Sequence, residues 1–464
     1  MKLKLSNLKR WDGEISRGPF LIWAAVLFAL KYSVDRVVLK VGFNHDWSIL
    51  EYFKRPVPWL DVSPAKDPAE PLTLLAFALP FLWMGVVLCL KRLRSAKLPL
   101  WLVVLFVVPV LKWFLFMALA LVPPREREKS QPLPNRSSQL LRWFPKSSLG
   151  SAAIAIVLST LLGAAATALG TEVLKDYGWA LFTGVPFCLG FFAAVIHAVH
   201  QPRRLRESVA VSLLAVSLVG AVLLVVALEG LICILMAAPL ALGLALVGGL
   251  VGHAVQVSRW QHFPSQLLCL PVLAIPAMLV GERYSGDVAP LLRVSTTVEV
   301  NASPEQVWTN VVRFARLPPP RELLFQTGIA YPVQAEIRGC GPGAIRHCVF
   351  STGSFVEPIE VWDEPRLLAF AVTENPAPME EWTPYREIHP PHLHGFLVSR
   401  RGQFLLTPLP GGRTKLEGTT WYEHRLWPAK YWQLWSDQII HTIHRRVLTH
   451  VKALSEQAET SHKA

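Results

Sequence analysis

Apolar residues fill long runs through the first 285 positions, and from Arg293 onward they alternate with polar ones. A bilayer-spanning helix needs about 20 mainly apolar residues. Stretches of that kind occupy 19–39, 71–90, 100–122, 149–170, 178–200, 208–228, 231–252 and 265–281. The run from Ser208 to Val255 is interrupted only near Glu229-Gly230. At ~1.5 Å per residue it would extend about 70 Å, enough for two crossings joined by a tight turn. Pro109 stands at the centre of 100–122 with Lys112 behind it, which predicts a broken or re-entrant segment. The last stretch is short and carries Pro271 and Pro276, so a crossing and an interfacial position both stay open.

Beyond Arg293 the period is that of strands. Val294, Thr296, Val298 and Val300 share one face of a first strand. Ser303-Pro304-Glu305-Gln306 then opens a helix, with Ser303 as N-cap and Gln306 closing a capping box. Six further strands are expected at 331–339, 344–352, 354–362, 366–373, 397–408 and 413–426, with turns at Gly341-Pro342-Gly343, Gly353, Glu364-Pro365 and Pro410-Gly411-Gly412. From Tyr431 to Ala458, Trp432, Trp435, Ile439, Ile443, Val447, Val451 and Leu454 form the apolar stripe of one long helix. His441 and His444 are expected on its solvated side. The connection from Thr373 to Leu397 is longer than most loops, and such length marks a functional or disordered segment.

Composition sharpens the first half of this picture. Charged residues make up 17% of the 464 and hydrophobic ones 52%, against about 25% charged in a typical soluble protein. The net charge of +13 raises nucleic acid as a partner, but the cations sit in short segments between apolar runs, such as Lys91-Arg92-Leu93-Arg94 and Arg203-Arg204-Leu205-Arg206. That is the distribution of cytoplasmic loops, so no nucleic acid is expected. If 100–122 enters and returns on one side, most connecting Lys and Arg fall on the side of the amino end. Seven crossings then result, with the 123–148 connection in the cytoplasm and the carboxyl-terminal domain outside it. No small-residue cleavage site follows Leu30, so the first stretch is expected to remain as an anchor. Lys31 and Asp35, four apart, can pair on one helix face. Six cysteines are too few for a disulfide scaffold; Cys340 and Cys348 are the one pair able to bond in the second half.

Two resemblances add to this reading. Arg17-Gly18-Pro19-Phe20-Leu21-Ile22-Trp23, followed by Lys91-Arg92-Leu93-Arg94, Trp101 and Pro109, resembles an uncharacterised family of small bacterial inner-membrane proteins (YhaH-like). This chain lacks the His-Asp that follows Arg-Arg-Leu in that family. The order of strand, helix pair, six strands and a long last helix, with Val298-Glu299-Val300-Asn301-Ala302-Ser303-Pro304-Glu305-Gln306-Val307-Trp308 at its start, resembles the START-like superfamily (SRPBCC), which includes polyketide cyclases and lipid-transfer domains. The fold implied is a multi-span α-helical membrane domain at 1–285, then an α+β helix-grip domain at 291–460. In the latter a curved antiparallel sheet wraps a long carboxyl-terminal helix around an apolar cavity. The localisation implied is a bacterial inner membrane, crossed several times.

On that fold the expected cavity contacts are Trp308, Phe355, Glu357, Phe370, Tyr422, His424 and Trp435, with Met379, Trp382 and Tyr385 as a lid. Inward faces are expected at Ile345, His347 and Val349, at Phe355, Glu357, Ile359 and Val361, at Leu368, Phe370 and Val372, and at Leu416, Gly418, Thr420, Tyr422 and His424. His389, His392 and His394 raise zinc, but no cysteine or carboxylate stands at ligand spacing beside them, so neither metal nor cofactor is expected. Three functions fit: membrane-tethered binding of a hydrophobic ligand or lipid, a cyclase or hydratase acting on a hydrophobic substrate, and a transporter or sensor working through the helices. The partners expected are the bilayer and an apolar small molecule. The absence of a catalytic signature favours binding and leaves enzymatic activity open.

Overall fold

The computed structural model describes residues 12–49, 52, 69–107, 109–122, 144–259, 266–283, 289–385, 388 and 390–463. The chain divides into two compact units. One comprises residues 1–226 with 235–287, the other residues 227–234 with 288–464.

The first unit is helical: α1 (Arg17–Phe43), α2 (Ala69–Ser95), α3 (Pro109–Leu121), α4 (Ser148–Ala168), α5 (Val185–His197), α6 (Leu205–Val225), α7 (Leu231–Arg259, whose first residues group with the second unit) and α8 (Gln266–Arg283). Five helical stretches among the described residues are long and apolar enough to cross a membrane: Leu72–Ser95, Ser148–Leu174, Ala180–His197, Leu205–Val225 and Leu231–Ser258. The apolar helices Leu111–Leu121 and Leu268–Glu282 are shorter. The stretch at 100–122 is broken, a 3-10 segment at Leu100–Phe106 giving way to α3 at Pro109. The 208–255 run separates into α6 and α7 where the sequence carries Glu229-Gly230. Most of the 123–148 connection lies outside the described residues.

Every side chain of α5 is buried, and small residues let its neighbour approach backbone to backbone. A β-carbon on Gly190 would lie 2.2 Å from the Ala245 carbonyl oxygen, and one on Gly248 would lie 2.1 Å from that of Phe187. Gly248 and Gly252, four apart, form the small-xxx-small face by which apolar helices associate when side-chain burial offers them little. Several buried polar groups in this unit are satisfied internally. Arg92 is fully buried and donates to the Leu119 carbonyl at 3.0 Å, to the Val122 carbonyl and to Ser95 Oγ, so it covers carbonyls at the end of α3. Lys31 and Tyr52 both donate to the buried Asp35.

The second unit carries β1 (Leu292–Val300), α9 (Pro304–Val312), α10 (Leu323–Gln326), β2 (Pro332–Arg338), β3 (Ile345–Phe350), β4 (Gly353–Asp363), β5 (Leu367–Ala371), β6 (Leu397–Leu409), β7 (Arg413–His424) and α11 (Ala429–Lys463). The strands form one curved antiparallel sheet in the order β1-β7-β6-β5-β4-β3-β2. α9 begins with the expected capping box: the Ser303 side chain accepts from the third helical N–H, and Gln306 Oε1 accepts from Ser303 N at 3.2 Å. α11 packs on β1, β7 and β2 and presses Val447, Leu448 and Val451 into the core with Val300, Trp308, Leu368, Leu406 and Leu416. A seven-stranded antiparallel sheet gripping a long terminal helix is the helix-grip arrangement.

Candidate functional site

A cavity of about 120 Å³ lies between the inner face of this sheet and α11. Its apolar wall includes Phe314, Phe350, Phe355, Phe370, Phe404 and Ile443, and its polar wall Arg346, Glu357 and His444. The hairpin joining β3 to β4 decides which side chains reach it. Phe350 pairs with Gly353 across the turn, and that register sets Cys348 opposite Phe355 and Arg346 opposite Glu357. Cross-strand partners share a face. Phe355 and Glu357 line the cavity, so Arg346 and Cys348 do too.

This corrects the expected face of β3. Ile345, His347 and Val349 do not point inward; Arg346, Cys348 and Phe350 are the buried set. An apolar Ile and Val pointed one way, but the tight turn after Phe350 fixes the other. In β4 the inward set also changes part-way. A register shift between Ile359 and Val361 leaves Val361 40% exposed, and Trp362 packs inward against Trp308 with ring centroids 5.7 Å apart. Leu368, Phe370 and Val372 face in as expected, as do Leu416, Gly418, Thr420, Tyr422 and His424.

Arg346 and Glu357 are 1% and 6% exposed and form an ion pair. The guanidinium carbon also lies 5.5, 5.4 and 5.4 Å from the ring centroids of Phe314, Phe370 and Phe404. Aromatic faces attract a desolvated cation, so three rings and one carboxylate together hold this charge out of water. Burial pushes the Glu357 carboxyl above its ordinary range, and the Arg346 guanidinium pulls against that shift. Arg346 Nε, itself buried, has no hydrogen-bond acceptor among the described residues. Burial also drives the Cys348 thiol up to about 12, with the Glu357 charge adding to the shift, so it presents no thiolate to the cavity. Gly402, paired with Phe370 across β5 and β6, makes room for the aromatic wall, since a β-carbon there would lie 2.4 Å from the Phe370 ring.

His444 also reaches the cavity, which corrects its placement on a solvated helix side. Its Nε2 lies 2.8 Å from Thr420 Oγ1 and its Nδ1 lies 3.1 Å from Thr296 Oγ1; His441 Nδ1 is 2.8 Å from the same Thr296 hydroxyl. Two hydroxyls that can each donate or accept suit a neutral imidazole. Burial, with His441 nearby, lowers the His444 pKa from 6.5 to about 4.

Of the expected contacts, Phe355, Glu357 and Phe370 come together at the cavity. The others lie elsewhere. Trp308 is in the core against Trp362. Tyr422 is buried and bonded to Ser436 Oγ at 2.8 Å and Asp437 Oδ1 at 2.6 Å, which with burial holds its hydroxyl protonated. His424 stacks beside Tyr422, and Trp435 lies half-buried on α11 away from the wall. Met379, Trp382 and Tyr385 do not touch the cavity either. Met379 is buried and bridges Ile329, whereas Trp382 and Tyr385 are exposed. Their connection serves the start of α7: the Trp382 carbonyl accepts from Leu231 N at 2.9 Å, and the Glu381 carboxylate accepts from Ile232 N and Cys233 N at 3.0 and 3.2 Å. Cys340 and Cys348 are both free thiols. His389 lies outside the described residues. Arg346, Cys348, Phe350, Phe314, Phe404 and His444 are among the lining groups that the alternation of strands did not reveal.

No protein-family model and no curated protein matches the chain, so the amino-terminal resemblance is carried by no match. Among solved structures it is similar to norcoclaurine synthase from Thalictrum flavum, at 14% identity over 39% of this chain and 100% of that one, with a TM-score of 0.26. It is similar also to the Zhui aromatase/cyclase from a Streptomyces species, at 17% identity over 36% of this chain and 94% of that one, with a TM-score of 0.25. XoxI from Bacillus cereus is a third, at 15% identity over 36% and 97%, with a TM-score of 0.25. The helix-grip assignment rests on the strand order and the gripped helix.

Two outcomes follow for a fragment of residues 288–464. Arg346→Met leaves Glu357 buried without its countercharge and is expected to lower unfolding stability by about 3–5 kcal/mol. Adding Glu357→Leu removes the stranded carboxylate, and denaturant titration should then recover most of that loss. The second concerns pH. The folded-state pKa of His444 is depressed, so its contribution to stability is present above 6.5 and is lost as pH falls toward about 4. His444→Gln should flatten the denaturation midpoint across that window. An unchanged slope would mean that His444 titrates alike in the folded and unfolded chain.

Proposed function

We propose that the carboxyl-terminal unit binds a small apolar molecule bearing a hydrogen-bond acceptor, and that the helical unit holds it at a membrane. The observation that carries this reading is the buried Arg346 Nε–H, which meets no acceptor among the described residues at the wall of a largely apolar cavity. An unsatisfied buried donor costs about 1–3 kcal/mol, and a ligand carbonyl or carboxylate would relieve it. Size limits the class. An apolar cavity of roughly 150 Å³ takes one benzene ring, and this one is about 120 Å³. A ring-sized head group or the end of a longer molecule fits; a whole long-chain lipid needs the walls to open. Binding is favoured over acid–base catalysis because the Glu357 carboxylate is engaged by Arg346 and both His444 nitrogens lie on hydroxyls.

Phe370→Trp should occupy the cavity and weaken uptake of a ring-sized fluorescent probe by at least about tenfold, since even one extra methylene in a filled pocket is worth 1–3 kcal/mol. Lys415→Ala, at an exposed position on β7, should leave affinity unchanged. Equal affinities in a folded Phe370→Trp protein would remove this cavity as the binding site. The tether is supported by the five apolar helices and the distribution of Lys and Arg. Reporter fusions at Arg136 and after Ala464 should read cytoplasmic and extracytoplasmic respectively. A cytoplasmic reading at the second would mean that 265–281 does not cross, or that another span is miscounted.

A further inference from the structure

A second cluster of functional side chains stands in the carboxyl-terminal unit, away from the cavity lining. Its elements are the 227–234 segment, which groups with this unit, and the loop between β5 and β6. Glu229 and Cys233 flank the start of α7, and a 3-10 turn at Pro391–Leu393 presents His392. Cys233 Sγ lies 2.9 Å from His392 Nε2, and His392 Nδ1 lies 3.4 Å from Glu229 Oε2. One donor atom from each of the three residues falls within 4.8 Å of the other two. Glu229 and His392 are buried, Cys233 is half-buried, and Met379 Sδ lies 3.9 Å from the Cys233 sulfur.

Thiol, imidazole and carboxylate in this order can serve as nucleophile, base and orienting group, or can hold a cation. The surroundings separate the two. A reactive thiolate needs an electropositive site, often a helix N-terminus, and an acyl-transfer site needs free N–H donors for the oxyanion. Here the N–H groups of Ile232 and Cys233 are already taken by the Glu381 carboxylate. A second carboxylate, Glu229, lies across His392. Two acids beside a thiol and an imidazole repel an anionic nucleophile and attract a cation.

We propose that Glu229, Cys233 and His392 bind a thiophilic divalent cation of the zinc class. Sulfur, nitrogen and carboxylate oxygen are zinc's ordinary donors, with Zn–S near 2.3 Å and Zn–N near 2.0–2.1 Å. Tetrahedral bonds of that length set sulfur and nitrogen about 3.6 Å apart, so Cys233 and His392 need separate by less than about 1 Å. Binding displaces the Cys233 proton to solvent, His392 ligates as the neutral ring, and a water completes the four-coordinate shell. Because Cys233 and His392 are 159 residues apart in sequence, the metal would clasp the start of α7 to the long loop that already caps it.

The test uses the tag-free full-length chain in detergent, stripped with chelator and titrated with Co(II) and then Zn(II). One equivalent of Co(II) should develop a thiolate-to-cobalt charge-transfer band that Zn(II) displaces. Cys233→Ser should abolish the band, and His392→Gln and Glu229→Gln should each weaken binding by at least about tenfold. Cys340→Ser, at an exposed thiol outside the cluster, should leave the band intact. Zinc should raise the thermal midpoint of the wild type and of Cys340→Ser but not of Cys233→Ser. A band that survives Cys233→Ser, or a folded wild type that develops none, would overturn the proposal. Rapid alkylation of Cys233 at neutral pH without metal uptake would overturn it too, and would mark a nucleophile instead.

Discussion

The inner face of the carboxyl-terminal sheet is organised by one charge that cannot reach water. Arg346 is closed in by Glu357 opposite it on the next strand and by the rings of Phe314, Phe370 and Phe404. Taking such a cation from water costs several kcal/mol unless countercharge and hydrogen bonds meet it. The pairing therefore penalises any other register of the β3–β4 hairpin, because a slip of one residue would turn Arg346 outward and strand Glu357. The aromatic walls take their positions from the same requirement. What remains beside them is a small apolar space with a charged floor.

The helical region meets the complementary problem, that of packing segments made mostly of apolar residues against one another. Its solution is close backbone approach through Gly190, Gly248 and Gly252, with several buried polar groups bonded to neighbouring carbonyls and hydroxyls. Arg92 on the carbonyls of Leu119 and Val122 is one example. Ser212, whose hydroxyl donates to the Gly190 carbonyl at 2.7 Å, is another. Such contacts keep their value in lipid, where an unmet donor has no water to turn to.

Much of this architecture was legible in periodicity. All seven strands, the capping box at Ser303 and the long last helix stand within a few residues of their expected bounds, because each is set by local alternation and local turn chemistry. The break at Pro109 was legible for the same reason. The site was only partly so. Phe355, Glu357 and Phe370 were found by alternation, but a buried arginine contradicts the rule that charge faces out, and Arg346 was assigned to the wrong face. The register of its hairpin, readable from the two-residue turn between Phe350 and Gly353, carried the missing signal. The grouping of Glu229 and Cys233 with His392 had no such signal. Their proximity arises from tertiary contacts across more than 150 residues, which no window along the chain contains.

The absence of a side chain at position 402 has a wider meaning. Phe370 leans into the volume that a methyl group at that position would claim, so the breadth of the cavity is fixed by a hydrogen atom on the neighbouring strand. Any larger residue there would swing the ring and reshape the space without altering Phe370 itself. Related domains could thus acquire different tastes in ligand through a backbone position that a comparison of cavity-facing aromatic residues would pass over.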